Sequence, residues 1–233
     1  MCNFKSGIVL KTEGVKGGFT LLMSPWTESH DAIEKIFKLL PDSRDNRAKV
    51  EFRPKDMAEA YLPETYTLTI DQERTPDWFD EEMREAVSEK MRDYIKSIVV
   101  SGEVDLLIGG QFIIAPGAKV ACATAMVVAT ICGGTITAVS GGTINEVRGG
   151  TINEVSGGTI TAVWGGTINA VSGGTITEVR GGTITEVSDG TITEVRGGTI
   201  NEVCEDFNGL IGKITQPGKI VDDKRVKKKA SKL

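Results

Sequence analysis

From Gly133 to Cys204 the chain repeats variants of Gly-Gly-Thr-Ile-x-x-Val-x without a gap. A period of eight with a glycine pair at most junctions leaves few folds open, because turns recur at the glycines and apolar residues at positions four and seven alone. In an antiparallel meander with glycine hairpin loops, strict alternation sends position four to one face and position seven to the other. Neither face is then apolar enough to bury. A parallel β-solenoid removes the conflict: the chain turns between positions five and seven or at the glycines, and both residues point inward. Successive coils stack like residues in ladders about 4.8 Å apart. One octad is too short for a coil, since eight extended residues span about 26 Å, too small a perimeter to enclose Ile and Val.

The eighth position sets the coil length. It reads Ser140, Arg148, Ser156, Trp164, Ser172, Arg180, Ser188, Arg196, Cys204. Small and large residues alternate, so the true period is sixteen, two octads per coil, with a small-residue side and an Arg/Trp side. Stacking Arg180 under Arg196 brings like charges together, which favours three octads per coil. The sixth position answers this, because Glu146, Glu178 and Glu194 each stand two residues before an Arg, on the same face, and Trp164 is preceded by Ala162. The octads extend upstream in more apolar form to Ser101, with Val104, Phe112, Val120 and Val128 at position four and Leu107, Ala115, Ala123 and Ile131 at position seven. From Ser101 to Cys204 they make about six and a half coils, roughly 30 Å of stack. Beyond Cys204, Leu210, Ile211, Ile214, Ile220 and Val221 are expected to cover an open end that would otherwise aggregate. The solenoid is placed at residues 101–212 and a cap segment with a basic tail at 213–233.

Residues 1–100 are glycine-poor by comparison and are expected to form an α+β domain of order ββαββα that caps the solenoid. Gly7–Lys11 and Phe19–Met23 suggest a hairpin. Ile33, Ile36, Phe37 and Leu40 have helical spacing after Ser29 or Asp31, and Pro41 stops that helix. Ala48–Arg53 and Tyr66–Ile70 read as strands. Thr75 and Pro76 read as N-cap and first residue of a long helix with an apolar stripe of Trp78, Phe79, Met83, Val87, Met91, Tyr94, Ile95 and Ile98. The predicted fold is therefore mainly β: a parallel β-solenoid of eight-residue repeats with an N-terminal α+β capping domain.

A hydrophobic content of 39% over 233 residues fills a core, and a net charge of -5 argues against general nucleic-acid binding, leaving only the basic tail Lys224–Lys229 as a local phosphate contact. Four cysteines at Cys2, Cys122, Cys132 and Cys204, with the single histidine His30, lack metal-ligand spacing, so neither a metal nor a cofactor is expected. The N-terminus lacks a signal-type apolar region and no run of about eighteen apolar residues occurs, so the chain reads as soluble and cytoplasmic, without a membrane span. The closing Ser231-Lys232-Leu233 has the form of a peroxisomal address.

Candidate chemistry is sparse. Glu28, His30 and Asp31 could in principle form a general-base cluster, but the same residues serve a helix N-terminus, with Ser29 as cap. Asp77, Asp80, Glu81 and Glu82 suit a first helical turn. No base lies near Cys2 or Cys204 in sequence, and the Gly-Gly pairs lack the Gly-Lys-Ser/Thr of a phosphate loop. An enzyme is not expected.

Three solenoid surfaces are left. Positions three and five, in Thr-Ile-Thr or Thr-Ile-Asn, form outward ranks that resemble those of ice-binding β-solenoids, broken by Asn145, Asn153, Asn169 and Asn201. The column Arg148, Trp164, Arg180 and Arg196 is a cation and aromatic stripe suited to a protein partner or a nucleic-acid strand, and Glu146, Glu178 and Glu194 beside it favour protein. Glu154, Glu186 and Glu202 add an acidic bias similar to DNA-mimicking repeat solenoids, interrupted here by Arg and Ala.

The opening MCNFKSGIVLK (Met1–Lys11), WTESH (Trp26–His30) and DQERTPDWF (Asp71–Phe79) resemble a group of uncharacterised bacterial and phage-borne proteins in which a small N-terminal domain precedes a short-period repeat. The resemblance implies a bacterial or phage setting, removes the peroxisomal reading and implies no activity. The leading expectation is a non-enzymatic scaffold or macromolecule-binding, self-associating solenoid. The alternatives are a small-ligand or enzymatic site in the N-terminal domain, and an ice-binding or DNA-mimic solenoid.

Overall fold

The computed structural model describes residues 5–39 and 46–225. The expectations placed on Cys2, Leu40, Pro41, residues 226–229 of the tail and the closing tripeptide lie outside them. Two units are distinguished, Met1–Ile98 and Val99–Leu233.

In the first unit, β1 (Lys5–Lys11), β2 (Phe19–Leu22), β3 (Arg47–Pro54) and β4 (Tyr66–Ile70) form an antiparallel sheet of order β2-β1-β3-β4, with α1 (His30–Ile36) and α2 (Glu81–Ile98). Ile8, Val9, Val50 and Phe52 of the sheet are fully buried, as are Ile33 of α1 and Val87, Met91 and Ile95 of α2. Two expectations are corrected. The long helix does not begin at Thr75-Pro76: Phe79 N–H donates to the Pro76 carbonyl in a separate turn, and Asp80 caps α2 by accepting from Met83 N–H at 2.9 Å. Asp80 is followed by Glu81 and Glu82, whose charge suits the positive end of the helix, and this outweighs the Thr-Pro signal. The shorter helix ends at Ile36, after which Lys38 adopts a positive φ and Leu39 N–H returns to the Glu34 carbonyl. Ile36 and Phe37 are consequently exposed instead of lining the core.

In the second unit the strands are β5 (Val99–Val100), β6 (Glu103–Ile108), β7 (Gln111–Ile114), β8 (Lys119–Thr124), β9 (Val127–Ile131), β10 (Thr135–Val139), β11 (Thr143–Val147), β12 (Thr151–Val155), β13 (Thr159–Val163), β14 (Thr167–Val179), β15 (Thr183–Val195), β16 (Thr199–Val203), β17 (Leu210–Ile214) and β18 (Lys219–Asp223). All pairings are parallel and join every second octad: Ile136 lies on Ile152 and Val139 on Val155, while Ile144 lies on Ile160 and Val147 on Val163. The coil therefore has sixteen residues and two sides, as the alternation at position eight requires. The long strands β14 and β15 run around the corner and belong to both sides.

Each octad bends at position five, which is skipped in the register between Ile152 and Glu154 and at its equivalents. Residues three apart on a straight strand face opposite ways. The bend turns positions four and seven to the same interior, where the Ile and Val of every strict repeat are 0–1% exposed in one continuous cluster. The glycine corner closes each octad. Gly182 has φ of 73°, and a side chain on its neighbour Gly181 would meet the carbonyl oxygen of Trp164 in the coil below at 2.3 Å. The pair thus serves both the turn and the close stacking of corners.

The ladder is longer at both ends than predicted, about eight turns. It begins with β5, whose Val100 lies on Ile114, two residues ahead of the expected start at Ser101. A bulge after Phe112 places Ile114, not Ala115, beneath Ile131, because Ile fills the inward site better than Ala. At the other end, residues 210–223 are not a loose cap. Loops containing Glu205-Asp206-Phe207 and Gln216-Pro217 lead into β17 and β18, which continue both sides in register, with Ile211 on Ile192 and Ile220 on Ile200. The expected end at residue 212 falls inside β17.

Candidate recognition surface

Position eight follows the inward Val and precedes the glycine corner, so its side chain points outward at the end of each segment. On one side of the solenoid the coils bring Arg148, Trp164, Arg180 and Arg196 into a single column, as the sixteen-residue period predicts. Trp164, 40% exposed, lies between two guanidinium groups, with Arg148 Cζ 5.1 Å and Arg180 Cζ 4.3 Å from its ring centroid. Each such contact stabilises by about 0.5–1 kcal/mol when exposed. Ala162, at position six beside the indole, is small enough to leave these approaches open.

The glutamates at position six hold the arginines. Arg148 Nε donates to Glu146 Oε2 at 2.7 Å, and Arg180 Nη2 lies 2.6 Å from Glu178 Oε2. Arg196 reaches Glu194 Oε2 of its own coil and Glu178 Oε1 of the coil below, each at 2.9 Å. The two-residue Glu-Arg spacing was readable in the sequence, whereas the bridge between coils and the stacking on both faces of Trp164 follow only from the coil geometry. The hydrogen bond from Arg196 holds the Glu194 carboxyl below the usual carboxylate range and raises Arg196 in return. The result is an ordered, charge-compensated stripe with one aromatic group at its middle.

The other side carries Glu154, Glu186 and Glu202 in its sixth-position column. Each meets the eighth-position residue of the next coil: Ser172 Oγ donates to Glu154 at 2.9 Å, Cys204 Sγ to Glu186 at 3.1 Å, and Lys224 pairs with Glu202. Position five faces solvent on both sides, and Asn169 Nδ2 donates to Asn153 Oδ1 at 3.1 Å. The described cysteines Cys122, Cys132 and Cys204 form no disulfide. Burial, the hydrogen bond to Glu186 and the charges of Glu186 and Glu202 push the Cys204 thiol up to about 11. At pH 8 only about one thiol in a thousand is then ionised. Alkylation of Cys204 is expected to remain slow at pH 8 and to accelerate about tenfold per pH unit up to about pH 11. Equal rates at pH 8 and 10, read by peptide mass spectrometry, would contradict the Glu186 contact.

In the first unit the three residues of the candidate base cluster have separate partners. His30 is buried with Nδ1 at 3.0 Å from Asp71 and Nε2 at 3.1 Å from the Val50 carbonyl. Glu28 accepts from Ser6 N–H and from Lys5 Nζ, and Asp31 faces Lys49. Ser29 caps α1 by accepting from Ala32 N–H. Sequence reasoning missed Lys5, which is buried, donates to the Ser24 carbonyl at 2.5 Å and lies over the Tyr94 ring. Burial lowers Lys5, opposed by Glu28, and burial with the charge of Glu28 pushes Tyr94 up to about 12. The alternation of β1, with Lys5, Gly7 and Val9 on one face, was the signal that could have revealed it. This cluster knits β1 to the segment before α1 and to α2.

The chain matches no family model, no curated protein and no solved structure.

Proposed function

We propose that the chain is a non-enzymatic recognition protein of a bacterial or phage setting, acting in the cytoplasm, and that it grips a protein partner with the Arg/Trp side of its solenoid. One observation carries the reading: Trp164 is held rigid and half-exposed between Arg148 and Arg180 on a backbone fixed by stacked coils. Trp and Arg dominate the energetics of protein interfaces, and a pre-ordered indole binds with little further loss of side-chain entropy. The neighbouring glutamates compensate the arginine charge, which favours a protein surface over a phosphate backbone. In the described residues no helix is long and apolar enough to cross a membrane. That Cys122, Cys132 and Cys204 form no disulfide among the described residues suits a reducing compartment.

Affinity capture from a bacterial lysate tests the surface. Trp164→Glu and Arg180→Glu are each expected to weaken retention of the partner by about thirtyfold or more, the effect of losing about 2 kcal/mol at a binding hot spot. The triple replacement of Glu28, His30 and Asp31 by Ala is expected to leave capture unchanged. Retention by both solenoid variants overturns the assignment of this face. Loss in the triple variant alone moves the activity to the first unit.

A further inference from the structure

We propose that Asn208-Gly209 is a site of spontaneous covalent ageing, at which the asparagine becomes an isoaspartyl link that unseats β17 from the ladder. On one corner of the solenoid, position one reads Gly141, Gly157 and Gly173, then Asp189 and, after the loop, Asn208. Both replacements keep glycine at position two, and of the chain's seven asparagines Asn208 alone precedes a glycine. A glycine has no Cβ to shield its amide nitrogen from the preceding side chain, so an asparagine before it is the most labile kind.

The two dipeptides are held differently. Asp189 lies inside β15 and pairs with β14, and its Oδ1 accepts from Gly190 N–H at 2.7 Å. Asn208 is exposed between β16 and β17. The Phe207 before it is fixed, with its N–H on the Cys204 carbonyl and Arg225 Cζ 5.0 Å from its ring centroid. Among the described residues no hydrogen bond occupies the Asn208 side chain or the Gly209 N–H. The Gly209 nitrogen, losing its proton to solvent, is thus left to attack Asn208 Cγ. The N–Cγ bond forms, and the side-chain nitrogen takes a proton from water and leaves as ammonia. Water then opens the succinimide: cleavage at Cγ gives aspartate, cleavage at the main-chain carbonyl gives isoaspartate, and no electrons are exchanged.

Either product adds a carboxylate to the corner above Asp189. The isoaspartyl product also lengthens the main chain by one methylene just before Leu210, where there is no slack. Gly209 lies on Gly190, whose carbonyl oxygen a Cβ on Gly209 would strike, and Leu210 and Ile211 are in register with Thr191 and Ile192. Among the described residues β17 pairs with β15 alone, so no outer strand keeps it in place.

Ageing the full chain at mildly alkaline pH, followed by tryptic peptide mass spectrometry and isoaspartyl-specific methylation, tests the site. Peptide 197–213 holds both Asn201 and Asn208, and peptide 181–196 holds Asp189. Asn208 is expected to convert from amide to acid and to take the isoaspartyl label. Asn201, exposed but held in β16, and Asp189, held in β15, are expected to stay unchanged. Cleavage of the folded chain by trypsin after Lys213 of β17 is expected to rise about tenfold with ageing, as the strand opens more often. Asn208→Gly, which restores the glycine pair, is expected to keep the slow cleavage of the fresh chain. Conversion of Asn201 or Asp189 as fast as Asn208 overturns the proposal. So does an Asn208 that persists or yields only α-linked aspartate, or an aged chain cut after Lys213 no faster than the fresh one.

Discussion

Replacing Gly182 by Ala is expected to destabilise the solenoid by about 3 kcal/mol, far more than a methyl group costs on an ordinary surface. Two effects add. An L-residue at a φ of 73° loses about 1–2 kcal/mol to contact between its Cβ and its own backbone. The new Cβ would also lie 2.6 Å from the carbonyl oxygen of Gly166 in the coil below, and backbone cannot move aside as a side chain can. Such overpacking costs about 1–3 kcal/mol. Gly117→Ala separates the two effects, because Gly117 has a φ of 85° but open space around its Cβ position. That variant is expected to lose about 1 kcal/mol from strain alone. Urea denaturation followed by Trp164 fluorescence, with Trp26 and Trp78 changed to Phe, reads the solenoid apart from the first unit. Equal losses at the two glycines would show that the corners are not in close contact.

The second large effect is expected at Ile160, in the middle of an unbroken ladder. Its neighbours in the stack are Ile144 and Ile176, all three fully buried. Ile160→Ala leaves a cavity that the coils cannot close without breaking register on both sides, and a loss of about 3–5 kcal/mol is expected. Ile220→Ala, in the half-covered last coil, is expected to cost about 1 kcal/mol, since less area leaves water there on folding. In a stack where each coil touches only its neighbours, the first change should divide the unfolding transition and the second should fray one end. Identical shifts in the two variants would argue against nearest-neighbour stacking.

The solenoid was legible because repetition turns weak local signals into one geometric condition. The alternation of Ser140 with Arg148 and of Ser156 with Trp164 fixed sixteen residues per coil, and the glutamates before each arginine removed the objection from like charges. What escaped were the departures from repetition. A bulge after Phe112 moved Ile114 inward, and the insertion around Glu205-Asp206-Phe207 hid a continuing coil behind a broken pattern. Spacing arguments lose register at a single added residue, whereas the folded chain restores it through a loop. In the first unit the competition was between local caps: Asp80 with two following glutamates against Thr75-Pro76. The site was legible as a column but not as an interaction, because the sandwich of Trp164 needs residues sixteen apart in both directions. Lys5 escaped because a lysine in a strand is ordinarily read as solvent-facing.

The corner glycines and the equal inward residues of the two sides also bear on how such a gene can change length. Loss or gain of sixteen residues by replication slippage removes or adds one coil and leaves every later Arg above the same column. Loss of eight keeps Ile and Val inward, so the core survives, yet it sends each downstream Arg to the side that holds serine. The fold is therefore permissive toward any number of octads, while inheritance of the Arg/Trp stripe is restricted to even ones, a parity rule written into the outer surface alone.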